Sequence, residues 1–158
     1  MIGIFDSGIG GLTVAREIRR QLPEAAFVYL GDTARLPYGS KSPETIIQYA
    51  IQDAEFLLKH GATTLVVACN TVSSVAIPAL RERFADTPLF EVITPAIDAA
   101  VAATKSKRIG VIGTAATIRS GIYEKMITER DRHIAVATKA CPLLVPLIEE
   151  GWAKKPET

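Results

Sequence analysis

The chain has 158 residues, with 18 Lys and Arg against 17 Asp and Glu, and a formal net charge of +1. Apolar types make up 48% and charged types 22% of the residues, which is ordinary for a folded protein and excludes a disordered, collagen-like or coiled-coil chain. The balanced charge gives no indication of nucleic acid or a membrane surface as a partner.

Short apolar runs alternate with longer amphipathic runs along the chain. Ser42 and Pro43 are typical of a helix start and Gly61 of a helix end, while Pro78 is expected to break or restart a helix. We predict strands at 1–5, 27–30, 64–68, 89–93, 107–113 and 133–140, and helices at 11–22, 43–60, 71–76, 95–104, 114–128 and 142–150.

This strand–helix alternation predicts an α/β protein with a parallel sheet flanked by helices on both faces. The runs on either side of Thr94 and Pro95 indicate a boundary between two similar α/β units. We therefore expect one domain over residues 1–94 and the start of a second over 95–158.

Ligands of open parallel sheets bind at the carboxyl ends of the strands, so the residues that follow each strand are the candidates for a site. They form a small and polar set. Its members are Asp6–Gly8, Asp32–Gly39, Cys69–Thr71, Thr94–Pro95 and Thr114–Thr117.

The glycine-rich loop that begins at Asp6 is only superficially similar to a dinucleotide-binding loop. Gly8 and Gly10 fit the first two glycines of that motif, but Thr13 stands where the third is needed. An acidic residue after the strand would also repel a pyrophosphate at the helix N-terminus. The spacing leaves two interpretations open, a tight strand-to-helix turn and a small-molecule site.

Cys69 ends a predicted buried strand and directly precedes a helix. A helix N-terminus favours the thiolate, which is the form that acts as a base or nucleophile. Asn70 and Thr71 beside it are able to cap the helix or hold polar groups of a ligand. The alternative is a small buried apolar residue, the commoner role of a single cysteine. Cys141 has no such polar pair, and we expect it to be structural.

Cys69 and Cys141 are far apart and outside any CxxC pattern, so no disulfide framework and no metal site is expected. The N-terminus has no basic segment and turns polar after five residues, which is not a signal peptide. The apolar runs are too short to span a membrane. We expect a cytoplasmic protein with reduced thiols.

Five stretches of the chain carry recognisable motifs, and each falls at the carboxyl end of a predicted strand. They are DSGIGGLTV at 6–14, GDTARLPYG at 31–39, VACNT at 67–71, GTAATIRSG at 113–121 and ACPL at 140–143. These motifs closely resemble those of the glutamate racemase family, within the cofactor-independent aspartate/glutamate racemase superfamily. The similarity covers the whole chain.

The resemblance implies racemisation of glutamate by two cysteine bases on opposite faces of the substrate, without a cofactor. Such an enzyme supplies D-glutamate for peptidoglycan and often forms a homodimer. By position, Cys69 is one of the two bases. The substrate-binding residues that the resemblance implies are Asp6, Ser7, Pro37, Tyr38, Gly39, Asn70, Thr71, Thr114 and Thr117.

The resemblance also implies a second cysteine in a Gly-Cys-Thr-His motif, at a spacing that falls beyond Thr158. Cys141 matches a different family segment and does not fill this role. We therefore expect an N-terminal portion of a racemase, with an incomplete second domain and with little or no racemase activity on its own. The alternatives are a non-catalytic module that binds an acidic amino acid or a partner, and a related aspartate racemase.

Overall fold

The computed structural model describes residues 1–152 and 155, and these form six strands and eight α-helices. The end of the predicted second domain, at 153–154 and 156–158, lies outside the described residues. The element order is β1 (Ile2–Asp6), α1 (Leu12–Gln21), β2 (Phe27–Gly31), α2 (Pro43–Lys59), β3 (Thr64–Val67), α3 (Asn70–Val75), α4 (Ile77–Arg83), β4 (Leu89–Glu91), α5 (Ile93–Ala103), β5 (Arg108–Gly113), α6 (Ala115–Arg119), α7 (Ile122–Arg130), β6 (Ala135–Ala140) and α8 (Leu144–Glu149). A short 3-10 helix at Tyr38–Ser40 lies between β2 and α2.

All strand pairs are parallel, which confirms the predicted α/β class. The strands form two sheets, one with the order β2-β1-β3-β4 and one that pairs β5 with β6. In the first sheet Asp6 pairs with Gly31, and Phe5 pairs with Val67. The carboxyl ends of β1, β2 and β3 therefore lie side by side at one edge.

The first sheet carries helices on both faces, as the alternation predicts. One face buries Phe5, Leu65 and Val67 with residues of α2, α3 and α4, whereas the other face packs Ile4 and Ala68 against α1. The central strand β1 therefore buries four successive residues, Gly3 to Asp6, rather than alternating buried and exposed positions, as is usual for parallel sheets.

The second sheet has its own apolar core. Ile93, Ile97, Ile127 and Ile134 are each at most 5% exposed and pack together between α5, α7 and this sheet. Ile93 already belongs to this second core, so the change from one core to the other falls between β4 and α5. None of the helices described within residues 1–152 is both long and apolar enough to cross a membrane.

Two predicted boundaries are wrong. The strand predicted at 89–93 ends at Glu91, because the Glu91 carboxylate accepts the backbone N–H groups of Ile93 and Thr94 and so begins α5 there. The single helix predicted at 114–128 is divided into α6 and α7. Gly121 between them adopts a left-handed conformation with φ +66°, which a continuous helix does not allow.

Candidate active site

A cavity of about 320 Å³ opens at the carboxyl edge of the first sheet. Residues of α6 and α8, from the second unit, form part of its lining. Nine of the ten site residues indicated by the sequence line this cavity, and Thr117 does not. The nine are Asp6, Ser7, Pro37, Tyr38, Gly39, Cys69, Asn70, Thr71 and Thr114. Thr94 and Pro95, the residues expected to follow β4, are absent from the lining in the described part of the chain, where Val92 is present instead.

Cys69 lies between the end of β3 and the start of α3. Its backbone is extended, with φ −79° and ψ 120°, and its Sγ accepts the N–H of Val72 at 3.5 Å, so the thiol caps the helix. The residue is 4% exposed. The strand-to-helix junction thus holds the sulfur at the cavity wall with a fixed orientation.

Ser7 and Asp6 approach Cys69 from the neighbouring strand β1. The Ser7 hydroxyl lies 3.2 Å from the Cys69 sulfur, and either atom is able to donate. The Asp6 carboxylate accepts the N–H of Gly11 at 2.8 Å. Gly11 has no room for a side chain there, because a Cβ would lie 2.7 Å from that of Asp6. The glycine-rich loop therefore orients an acidic side chain toward the thiol.

Burial raises the pKa of the Cys69 thiol to about 11, and the negative charge of Asp6 adds to this rise. The hydrogen bonds from Ser7 and from the N–H of Val72 act in the opposite direction, because they stabilise the thiolate. The N–H of Val72 at the start of α3 favours the thiolate, as the sequence predicts, but burial and the Asp6 charge outweigh it, and the pKa of the thiol stays above its ordinary value.

Glu149 on α8 completes an acidic wall that the sequence did not indicate. Its carboxylate lies so close to Gly8 that any side chain at that position would overlap it. Burial and the charge of Asp6 raise the pKa of Glu149. Pro142, Val145 and Pro146 of the same segment also line the cavity. They follow β6, so the carboxyl-end argument applied to that strand would have found them.

Cys141 lies in the same segment, but it is absent from the cavity lining. Its N–H donates to the carbonyl of Gly113 at 2.8 Å, which extends the pairing of β5 and β6. Cys69 is therefore the only cysteine that lines the cavity within residues 1–152.

A chain of hydroxyl groups joins α3 to α6 at the back of the cavity. Thr71 Oγ1 and Thr114 Oγ1 are 3.0 Å apart, and Thr114 donates to Thr117 at 3.0 Å. Thr117 is only 4% exposed and lies behind Thr114. Gly39 packs directly on Thr114, where a Cβ would lie 2.5 Å from that of the threonine. The two units thus meet through small polar residues.

The Tyr38 hydroxyl is directed away from this contact, into a buried ionic cluster. It donates to Asp32 and Asp53, and Arg35 pairs with the same carboxylates at 2.5 and 2.7 Å. Arg35 also lies over the Tyr49 ring. This cluster fixes the segment at 37–39, whose backbone forms one wall of the cavity.

Asn70 contributes an amide side chain at the start of α3. Its Oδ1 accepts the hydroxyl of Tyr123 from α7 at 2.6 Å. Among residues 1–152 and 155, no three His, Cys, Asp or Glu side chains are grouped as a metal site. The site therefore consists of one thiol, two carboxylates, several hydroxyls and an amide, a set suited to proton transfer on a small ligand that carries both charges.

Comparison with known proteins identifies a family of racemases, which agrees with a site suited to proton transfer. The family model described as Asp/Glu/Hydantoin racemase matches residues 3–157. A glutamate racemase of Persephonella marina is 59% identical over 150 residues, which is 95% of this chain and 57% of that protein. One from Geobacter metallireducens is 52% identical over 151 residues, covering 96% of this chain and 56% of that protein.

The fold agrees with solved structures. The crystal structure of glutamate racemase from Francisella tularensis in complex with D-glutamate matches with a TM-score of 0.90 at 39% identity, over 97% of this chain and 57% of that one. A glutamate racemase isoform from Bacillus anthracis matches with a TM-score of 0.89 at 44% identity, over 94% of this chain and 55% of that one. The chain belongs to the Asp/Glu/hydantoin racemase family. It spans a little more than half the length of these relatives.

Proposed function

We propose that this chain carries the Cys69 half of a glutamate racemase site, in which the thiol transfers the α-proton of glutamate. The observation that carries the proposal is the buried Cys69 sulfur at the cavity wall, 3.2 Å from the Ser7 hydroxyl and in the field of the Asp6 carboxylate. The relative from Francisella tularensis, crystallised with D-glutamate, supports this choice of ligand.

The charges of the cavity fit an α-amino acid. Asp6 and Glu149 place two carboxylates on one side, where an ammonium group would relieve their repulsion. An ammonium there would also lower the pKa of Cys69, because it offsets the Asp6 charge that raises it. Asn70, Thr71 and Thr114 also line the cavity and supply neutral donors, from which a carboxylate would accept hydrogen bonds. The bound substrate would thus adjust the thiol for proton abstraction.

Inversion requires a second acid or base on the opposite face of the α-carbon. Cys69 is the only cysteine lining the cavity in the part of the chain that the structure describes. We therefore expect these 158 residues alone to exchange the α-proton with retention, and to racemise slowly or not at all. The supply of D-glutamate for peptidoglycan, a cytoplasmic location and a homodimer belong to the same proposal for the whole protein.

The test is to incubate the purified chain with D-glutamate and with L-glutamate in D₂O. NMR reports loss of the α-proton signal, and chiral chromatography reports inversion. We expect slow exchange without inversion that disappears in Cys69→Ala. Cys141→Ala is the matched control, because this second cysteine is absent from the cavity lining, and it should exchange at the wild-type rate.

Three outcomes contradict the proposal in different ways. Exchange that persists in Cys69→Ala would remove this residue as the base. Binding of glutamate with no exchange at any pH would favour a non-catalytic module, and faster exchange of aspartate than of glutamate would favour an aspartate racemase.

A further inference from the structure

Tyr123 connects the second unit to the candidate site through one hydrogen bond. Its hydroxyl, on α7, donates to Asn70 Oδ1 at 2.6 Å across 53 positions of sequence. Asn70 is exposed at the cavity, and its own helix α3 has only six residues. An exposed asparagine samples several side-chain orientations unless a partner selects one, and the partner here comes from the other unit.

The hydrogen bond from the Tyr123 hydroxyl determines which end of the Asn70 amide is free to bind a ligand. An asparagine side chain has an acceptor oxygen and a donor NH₂ group. When the tyrosine O–H donates to the amide oxygen, the two N–H donors of the NH₂ group remain for another partner. Burial and the negative charge of Glu91 raise the pKa of Tyr123, so the hydroxyl keeps the proton that it donates.

The position of Tyr123 is itself determined by packing. Its ring lies against the second core, beside Ile127, which is 1% exposed on the same helix. The ring is therefore held independently of the hydrogen bond. Removing only the hydroxyl oxygen should leave α7 in place.

We propose that Tyr123 is a positioning residue that holds the Asn70 carboxamide with its donor NH₂ group free for a carboxylate of the bound amino acid. This inference rests on the proposed function for the choice of ligand. The geometry of the Tyr123–Asn70 contact does not depend on that choice. The orientation of Asn70 by Tyr123 and the binding of the amino acid are therefore measured separately.

The first measurement needs no ligand. The side-chain NH₂ signals of Asn70 are assigned by their loss in Asn70→Ala, in ¹⁵N-labelled protein. Tyr123→Phe should shift these signals and bring the two protons closer in frequency, because the amide rotates more freely. Tyr49→Phe is the matched control, a half-buried tyrosine that packs on Tyr38 and Arg35 rather than on Asn70. It should leave the signals unchanged.

The second measurement is a titration with D-glutamate, followed by the backbone amide signals of the same ¹⁵N-labelled proteins, which remain in the Asn70→Ala background. Tyr123→Phe should weaken binding by about 2- to 10-fold, the range for one hydrogen bond. In an Asn70→Ala background the same substitution should have no further effect, because the two residues act through one contact. A role limited to stability would instead give equal losses in both backgrounds.

The results separate the two proposals. Unchanged Asn70 signals in Tyr123→Phe, or equal losses of affinity in both backgrounds, would overturn the positioning role. If the wild-type chain does not bind D-glutamate, the proposed function fails, and the NH₂ signals alone decide whether Tyr123 orients Asn70. Thermal unfolding of each variant verifies that it is folded before the spectra are compared.

Discussion

The hydroxyl of Ser7 lies 3.2 Å from the sulfur of Cys69, although the two residues are 62 positions apart and follow different strands. The parallel pairing of β1 with β3 brings them together, because it aligns Phe5 with Val67 two residues earlier in each strand. The contact couples the protonation of the thiol to the first loop. The first two predictions use this coupling.

Ser7→Ala should raise the pKa of Cys69. The Ser7 hydrogen bond stabilises the thiolate, and a single hydrogen bond corresponds to a shift of about one pKa unit or less. The ultraviolet absorbance of the thiolate as a function of pH measures the change. The Cys141→Ala background leaves Cys69 as the only thiol. An unchanged or lower pKa would show that the hydroxyl does not stabilise the thiolate.

Asp6→Asn should have the opposite effect and lower the pKa of Cys69. The substitution removes the charge that opposes the thiolate, while the amide oxygen still accepts the N–H of Gly11. The same titration measures the shift. If burial alone set the pKa, Asp6→Asn and wild type would titrate together.

Proton exchange by Cys69 should depend steeply on pH. Since the pKa of the thiol is about 11, the thiolate fraction rises about tenfold per pH unit through the neutral range. Deuterium exchange of D-glutamate at subsaturating concentration should follow this slope from about pH 7 to 9. At subsaturating substrate the pH profile reports the pKa values of the free protein, so a plateau near neutral pH would mean that another group is the base.

The buried ionic cluster should make stability depend on pH. Burial, followed by the charge of Asp32, raises the pKa of Asp53 from 3.8 to about 6 in the folded chain. The folded state therefore binds this proton more tightly than the unfolded state. Its stabilising contribution is complete below the unfolded pKa and is lost as the pH rises through 6.

Urea unfolding at several pH values tests this sign. Wild type should lose stability between about pH 4 and 6, and Asp53→Asn should show a smaller decline over the same interval. The exposed residue Asp86 provides a control, because Asp86→Asn removes an aspartate outside the cluster and should retain the wild-type slope. Equal slopes for all three proteins would contradict the assignment of the transition to Asp53.

Gly39→Ala should destabilise the contact between the two units. Its Cβ would lie 2.5 Å from Thr114 Cβ and 2.7 Å from Thr114 Cγ2, so the cavity wall must move. Overpacking of this kind costs about 1–3 kcal/mol in the free energy of unfolding. Gly110→Ala is the control, because a Cβ there meets nothing within 4 Å. Equal unfolding midpoints for the two variants would show that the wall yields without cost.

The site residues that the sequence predicts are those that directly follow a strand along the chain. Ser7, Cys69 and Asn70 come directly after strands, and the carboxyl-end rule places them at one edge. Tyr123 and Glu149 could not be found in this way, because their roles arise from packing between distant segments. The sequence also indicates the buried strand and the helix terminus on either side of Cys69. It does not indicate that burial and the Asp6 charge together outweigh the helix terminus in setting the pKa of the thiol.

The Thr71–Thr114 contact has a consequence for how the cavity responds to a ligand. Each hydroxyl has a single proton, and Thr114 donates its own to Thr117, so Thr71 is the donor in the contact between α3 and α6. A bound carboxylate would accept this proton in a hydrogen bond if the Thr71 O–H turned toward it. Rotation of one O–H bond thus suffices for Thr71 to meet a new charge, and neither α3 nor α6 has to move.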